Sequence, residues 1–281
     1  MTRALARSPG LFVSTVLTCM VGALLPPWAG GVLFYGGLAL MGALCLGALE
    51  RPAVRLLGGA RALSPAEAAA LAPAIGLLSQ RGLGPEVRFY ARDGEVGIAA
   101  GPAGRRSVVV SAGLQRAVQV GRLPADQAAG VIAEAVGRIR LGQTRFDVAV
   151  EFWTLPWQVL RAVCLAIGAT VALIPLTTFA WKVRFVVSSV AVVQSVNEGR
   201  AASGVIVAVF IALTYLTPRW HRQLAIRSQD DADRFVADHE LGDALARFLR
   251  RCPPEPRTFE RIHHLTAPVR RPLPGAVVGE R

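Results

Sequence analysis

The sequence predicts an α-helical integral membrane protein with four transmembrane helices and a small α+β cytoplasmic domain. Three observations carry this. Of 281 residues, 53% are hydrophobic and the mean hydropathy is +0.43, more apolar than an ordinary soluble domain. The apolar residues gather into runs near the length of a bilayer span, in two pairs on either side of the mixed-polarity stretch 51–154. Arginines flank the runs at Arg3 and Arg7, at Arg51 and Arg55, and at Arg219, Arg222 and Arg227, three places that share one side if the chain crosses four times.

Charge narrows the partners. The net charge is +12 although only 18% of residues are charged, and Lys182 is the one lysine. Such basicity can mark nucleic-acid binding, but no binding motif accompanies it. In a membrane chain it fits basic cytoplasmic loops beside anionic lipid. The expected partners are therefore the lipid bilayer and a membrane protein or a further copy of this chain, with no nucleic acid. Abundant Arg, Ala, Gly and Val suggest a GC-rich bacterial genome. The expected location is the bacterial plasma membrane, multi-pass, with both termini cytoplasmic; Lys182, Arg184 and Arg200 on the outer loop run against that orientation. Cys19, Cys45 and Cys164 lie in apolar runs and Cys252 stands alone, so no disulfide framework or CxxC pair is present.

In chain order, residues 1–50 read as a transmembrane hairpin. Runs 11–25 and 31–49 are joined by Pro26-Pro27-Trp28-Ala29-Gly30-Gly31, which combines turn chemistry with an interfacial Trp. Residues 51–154 form the cytoplasmic domain. Ser64-Pro65-Ala66-Glu67 has the N-cap, first-turn Pro and third-position Glu of a helix start. Strands are expected at 87–91, at 96–100 and at Ser107-Val108-Val109-Val110-Ser111, with turns at Asp93-Gly94 and 101–104 and a short helix at 112–120. Leu123-Pro124-Ala125-Asp126 opens a helix over 126–141, with Val131, Ile132, Ala135, Val136 and Ile139 on its apolar face. Runs 155–181 and 201–217 make the second transmembrane pair, 155–217, with the β-branched stretch 183–196 of interfacial or re-entrant length between them. Residues 218–265 return to the cytoplasm, chiefly as one helix over 222–251 stopped by Pro253-Pro254, and 266–281 is a Pro- and Arg-rich tail expected to be disordered.

The helix over 126–141 has the frame of a zinc-protease helix. Such a helix carries His-Glu-x-x-His, two imidazoles one turn apart on one face and a Glu that activates water. Across those positions this chain reads Glu134-Ala135-Val136-Gly137-Arg138. Ser107 to Leu114, the lead-in Leu123 to Ala133, Gln229-Asp230-Asp231-Ala232-Asp233-Arg234, and the closing Pro253-Pro254 with Arg261-Ile262-His263-His264-Leu265 follow in order, interrupted by spans. In that order the chain resembles the HtpX-like membrane zinc metallopeptidases.

The resemblance implies a metalloprotease-like cytoplasmic domain completed by the segment after the fourth span. It also implies zinc ligands at Glu134, Arg138 and Gln229, a general base at Ala135 and a supporting group at Asp233. Every chemical position departs from the family. Arg138 has no lone pair and stays charged, so it cannot hold a metal; Ala135 is no base. The expected outcome is no catalytic residue and no cofactor, the family's zinc being unbound. In its place stands a polar cluster of Glu134, Arg138 and Gln229, with Asp233 paired to Arg138 or Arg234. The histidines His221, His239, His263 and His264 show no i, i+4 pair. The acidic group Asp230, Asp231 and Asp233 reads as a charge-paired helix face rather than a cation site, since EF-hand spacing is absent.

The function that follows is a catalytically inactive homologue acting by binding or scaffolding at the membrane. The alternatives are an active zinc endopeptidase of membrane proteins with unconventional ligands, and a structural subunit of a secretion or conjugation assembly.

Overall fold

Ser64 does what its sequence context asks. Its hydroxyl accepts from the Glu67 N–H while the Glu67 carboxylate accepts from the Ser64 N–H at 2.8 Å, a complete capping box. Such local rules account for most elements of the computed structural model, which describes residues 2–84, 86–171 and 201–266 together with 194 and 197. The described chain is mostly helical with one small mixed sheet. The elements are α1 (Thr2–Leu24), α2 (Pro27–Leu46), α3 (Glu50–Leu56), β1 (Arg61–Ala62), α4 (Pro65–Gln80), β2 (Arg88–Arg92), β3 (Ala100–Ala103), β4 (Ser107–Ser111), α5 (Ala112–Gln119) and α6 (Ala125–Arg140). There follow α7 (Asp147–Trp153), α8 (Leu155–Val171), α9 (Ala201–Asp238), α10 (Gly242–Leu249) and α11 (Pro256–Thr266). The chain divides into two compact units, one of residues 1–48 and 147–227, the other of 49–146 and 228–281.

The described part of the first unit is helical. Its hairpin turns more tightly than its composition suggests: Pro27 already begins α2, leaving Leu25 and Pro26 as the link. Gly22 and Gly30 allow this, because a Cβ on Gly30 would lie 2.5 Å from the Gly22 carbonyl oxygen. Trp153 pegs the hairpin to α7. Its indole N–H donates to Thr15 Oγ1 at 2.9 Å, its carbonyl accepts from the buried Ser14 hydroxyl, and its ring meets Phe34 edge-on with centroids 6.2 Å apart. Among the described residues one helix, Pro27–Leu46, is long and apolar enough to cross a membrane, and Gly10–Leu24 is a shorter apolar stretch. Part of 155–181, nearly all of 183–196 and all of the tail beyond 266 lie outside the described residues. The expectation of four spans thus has one helix of span length behind it among the described residues.

The second unit builds the core. Its sheet runs β1-β2-β4-β3, with β2 and β4 parallel and the outer pairs antiparallel. β4 is buried at all five positions, as its unbroken Val108-Val109-Val110 run requires. Two expectations fail here. Residues 96–99 are not strand, the strand expected over 96–100 beginning only at Ala100, and 101–104 is not simply a turn: Ala100–Ala103 is the edge strand β3. An edge position tolerates Pro102, whose missing N–H would break an interior ladder. The segment before β3 is fastened to the start of α5 instead. The Ser111 hydroxyl accepts from the Ala99 and Leu114 N–H groups at 3.0 and 3.1 Å and donates to the Gly97 carbonyl at 2.6 Å. The turn between β3 and β4 is held by Glu50, whose Oε1 accepts from the Arg105 and Arg106 N–H groups and the Ser107 hydroxyl at 3.1, 2.9 and 2.8 Å.

α6 lies at the centre of this unit, buried from Gln127 to Gly137 except at Glu134. Its glycines set the packing distances: a Cβ on Gly130 would meet the Leu245 backbone N at 2.9 Å, and one on Gly137 would meet the Phe235 ring at 2.7 Å. Ile132, Leu71, Leu78, Leu114 and Leu245 are fully buried around it, each contributing about 1.5–3 kcal/mol. The single helix expected over 222–251 is two. α9 ends at Asp238, Glu240 takes a left-handed conformation (φ 59°), and the Leu241 N–H closes back on the Val236 carbonyl at 3.1 Å before α10 begins.

Candidate functional site

Glu134 is the one position of the central α6 stretch that keeps some solvent access, and its carboxylate is shared by two guanidinium groups. Arg138, one turn later on α6, donates from Nη2 to Glu134 Oε1 at 2.6 Å. Arg261, on α11, donates from Nη2 to Glu134 Oε2 at 2.8 Å. The same Arg261 grips Asp233 of α9 in bidentate fashion, Nε to Oδ2 and Nη2 to Oδ1, both at 2.7 Å. Side-chain exposure falls from 29% at Arg138 and 17% at Glu134 to 12% at Arg261 and 3% at Asp233, so the network is screened least from its own charges at the Asp233 end. Two carboxylates and two guanidiniums give it no net charge. At its edge Asp230 and Arg257 approach to 3.5 Å.

Burial pushes the Asp233 carboxyl above its usual range, and the Arg261 pairing pulls the other way. Desolvation also acts against the charge on Arg261, but its hydrogen bonds and Coulombic attraction to Asp233 and Glu134 outweigh it and hold the guanidinium charged. Arg138 Nε is buried with no hydrogen-bond partner among the described residues, so that guanidinium is satisfied mainly through Glu134.

The structure brings together Glu134, Arg138 and Asp233 of the residues singled out from sequence, and leaves two out. Gln229 lies one turn before Asp233 on the same face of α9 but makes no hydrogen bond to Glu134 or Arg138 among the described residues. The third member of the expected cluster is Arg261 instead. Ala135 is packed into the hydrophobic core. Asp233 pairs with Arg261, not with Arg138 or Arg234, because α11 delivers a planar fork that fits both carboxylate oxygens. Arg261 sits in the closing Arg-Ile-His-His-Leu segment, whose pattern marked it without indicating its partners.

The donor set does not fit zinc. Both oxygens of Glu134 are engaged by cations, the i+4 position carries a guanidinium with no lone pair to offer a metal, and the Asp233 carboxylate is filled by Arg261. Among the described residues no group of three His, Cys, Asp or Glu side chains is placed to hold a metal ion. His263 and His264 are exposed, and His239 bonds through Nδ1 to the Phe235 carbonyl at 2.8 Å, with no role in the network. Of the acidic group, Asp230 faces Arg257 and Asp231 accepts from Gln143 Nε2 at 3.3 Å. No protein-family model, no curated protein and no solved structure matches the chain.

Proposed function

We propose that this chain is a catalytically inactive homologue of the HtpX-like membrane metallopeptidases that acts by binding or scaffolding in a bacterial plasma membrane. One observation carries the reading: where such an enzyme needs lone pairs converging on a metal, Arg138 and Arg261 place two fixed positive charges on Glu134 at 2.6 and 2.8 Å. A cation at this point would face both guanidiniums, and no carboxylate there is free to activate water. What the site does instead is join α6, α9 and α11 through a neutral ionic cluster, leaving the outer surface of the unit available to a membrane-protein partner or a second copy.

The bilayer belongs to the same proposal: four crossings, with both termini and the sheet-bearing unit in the cytoplasm. Support comes from Pro27–Leu46, 20 residues of mean hydropathy 1.8 and only 6% buried, and from exposed Met20, Leu24, Trp28, Val32 and Tyr35 on the hairpin. Support also comes from the arginines that flank the apolar runs.

Metal content of the full chain purified in mild detergent tests the first part. The expected result is no stoichiometric zinc, unchanged by Glu134→Ala, and no metal-dependent proteolysis. One zinc per chain that disappears in Glu134→Ala would overturn it. Retention in the membrane pellet through alkaline carbonate extraction tests the second.

A further inference from the structure

α9 leaves its apolar stretch 201–217 through a strongly basic collar. Arg219, Arg222 and Arg227 are exposed, and no Asp or Glu occurs between Glu198 and Asp230 to offset them. No ion pair or side-chain hydrogen bond engages any of the three among the described residues. Arg61, Arg81, Arg140, Arg247 and Arg257, by contrast, each have a carboxylate partner. Within the collar, Trp220, Gln223, Leu224 and Arg227 line a shallow open crease of about 20 Å³. Their spacing puts them on one helix face. Trp220 and Leu224, both half-buried, supply an apolar floor, and Gln223 and Arg227 supply donors at its rim.

We propose that this crease and its flanking arginines bind the headgroup of an anionic phospholipid. Guanidinium groups match phosphodiester oxygens in a planar, bidentate geometry. Trp is the side chain that settles at the level of the headgroups, with its ring toward the acyl region and its N–H toward water. A basic cluster immediately beyond a span attracts anionic lipid. The site therefore offers the two halves of one ligand, a phosphate and the upper acyl chain, their matching surfaces side by side. This inference rests on the membrane reading above.

The test uses the full chain in neutral detergent micelles doped with phosphatidylglycerol or phosphatidylcholine, with bound lipid counted by native mass spectrometry. Phosphatidylglycerol should be retained selectively. Changing Arg219, Arg222 and Arg227 together to Gln should weaken retention by on the order of a hundredfold, about fivefold per arginine. The control removes the same charge elsewhere, at the exposed Arg88, Arg116 and Arg250, and should leave retention near that of the parent. If the first triple variant fails to fold, Arg227→Gln alone must still show the fivefold loss. Equal retention of phosphatidylcholine, equal loss in the control, or displacement of the lipid by inorganic phosphate would each overturn the proposal. Extraction of the chain by alkaline carbonate would instead sink the membrane reading, so the two failures are distinguishable.

Discussion

Replacing Arg261 by Met should be the most damaging single change in the second unit. The perturbation removes three charge-assisted hydrogen bonds of 2.7, 2.7 and 2.8 Å and keeps a side chain of similar reach. It strands the Asp233 carboxylate, 3% exposed, while Glu134 retains Arg138. Removing one partner of a buried ion pair costs about 3–5 kcal/mol, mostly the desolvation of the charge left behind. At roughly 2–4 °C per kcal/mol for a chain of this size, the midpoint should fall by roughly 6–20 °C in a thermal scan of the full chain followed by tryptophan emission. Removing both partners should restore most of the loss: Asp233→Leu with Arg261→Met leaves an apolar contact and no orphan charge.

The pH dependence of the single variant has a definite sign. Burial already pushes the Asp233 carboxyl up, and without Arg261 nothing opposes it. A carboxyl raised in the folded state costs nothing below its unfolded pKa, destabilises progressively as pH rises from there to the folded one, and costs a constant amount above it. The deficit of Arg261→Met should therefore be larger at about pH 8 than at about pH 5. A loss below about 1 kcal/mol, or a double variant as weak as the sum of the two singles, would refute the account of Arg261 as the buried counter-ion.

Two other perturbations test the frame around the site. Pairing with Arg61 lowers the Glu67 carboxyl from 4.5 to about 2, so its contribution is present above pH 4.5 and is lost as pH falls toward 2; Glu67→Gln should flatten that part of an acid titration of unfolding, whereas Ser64→Ala should cost about 1 kcal/mol at neutral pH. Gly113→Ala would put a Cβ 2.0 Å from the Val96 carbonyl oxygen, and since backbone must move to admit it, a loss of about 1–3 kcal/mol and faster proteolytic cutting within 95–99 are expected.

What could be read from the sequence was local. The Ser64–Glu67 box, the Val-rich β4 and the Glu134–Arg138 pair each lie within five residues, and each forms as its spacing dictates. Misreadings came where a neighbour overrode local chemistry. Gly101-Pro102 carries turn residues but pairs along β4, because an edge strand asks for hydrogen bonds on one side only. The end of α9 carries Glu240, not Gly, in a left-handed conformation, so no glycine marked the break. β1 is two residues long and has no pattern to detect. Arg261 was out of reach for a different reason: an arginine on an amphipathic helix gives no sign of which distant carboxylate it will meet. The expected role of Gln229 failed on the same ground, since position along a helix face does not say which side chain will reach across.

The ionic cluster also sets a timetable. Arg261 reaches Glu134 across 127 residues of chain, so at roughly 5–20 residues per second a ribosome needs about 6–25 s to supply the partner after making the carboxylate. During that interval the apolar residues between the two halves of the second unit must be produced and α6 must wait. Arg138, four residues from Glu134, gives the nascent helix a counter-ion from the start. Asp233 emerges only 28 residues ahead of Arg261 and spends correspondingly little time alone. The pair within α6 thus serves as an interim partner, and the final grip is made only as the last helix of the unit is synthesised.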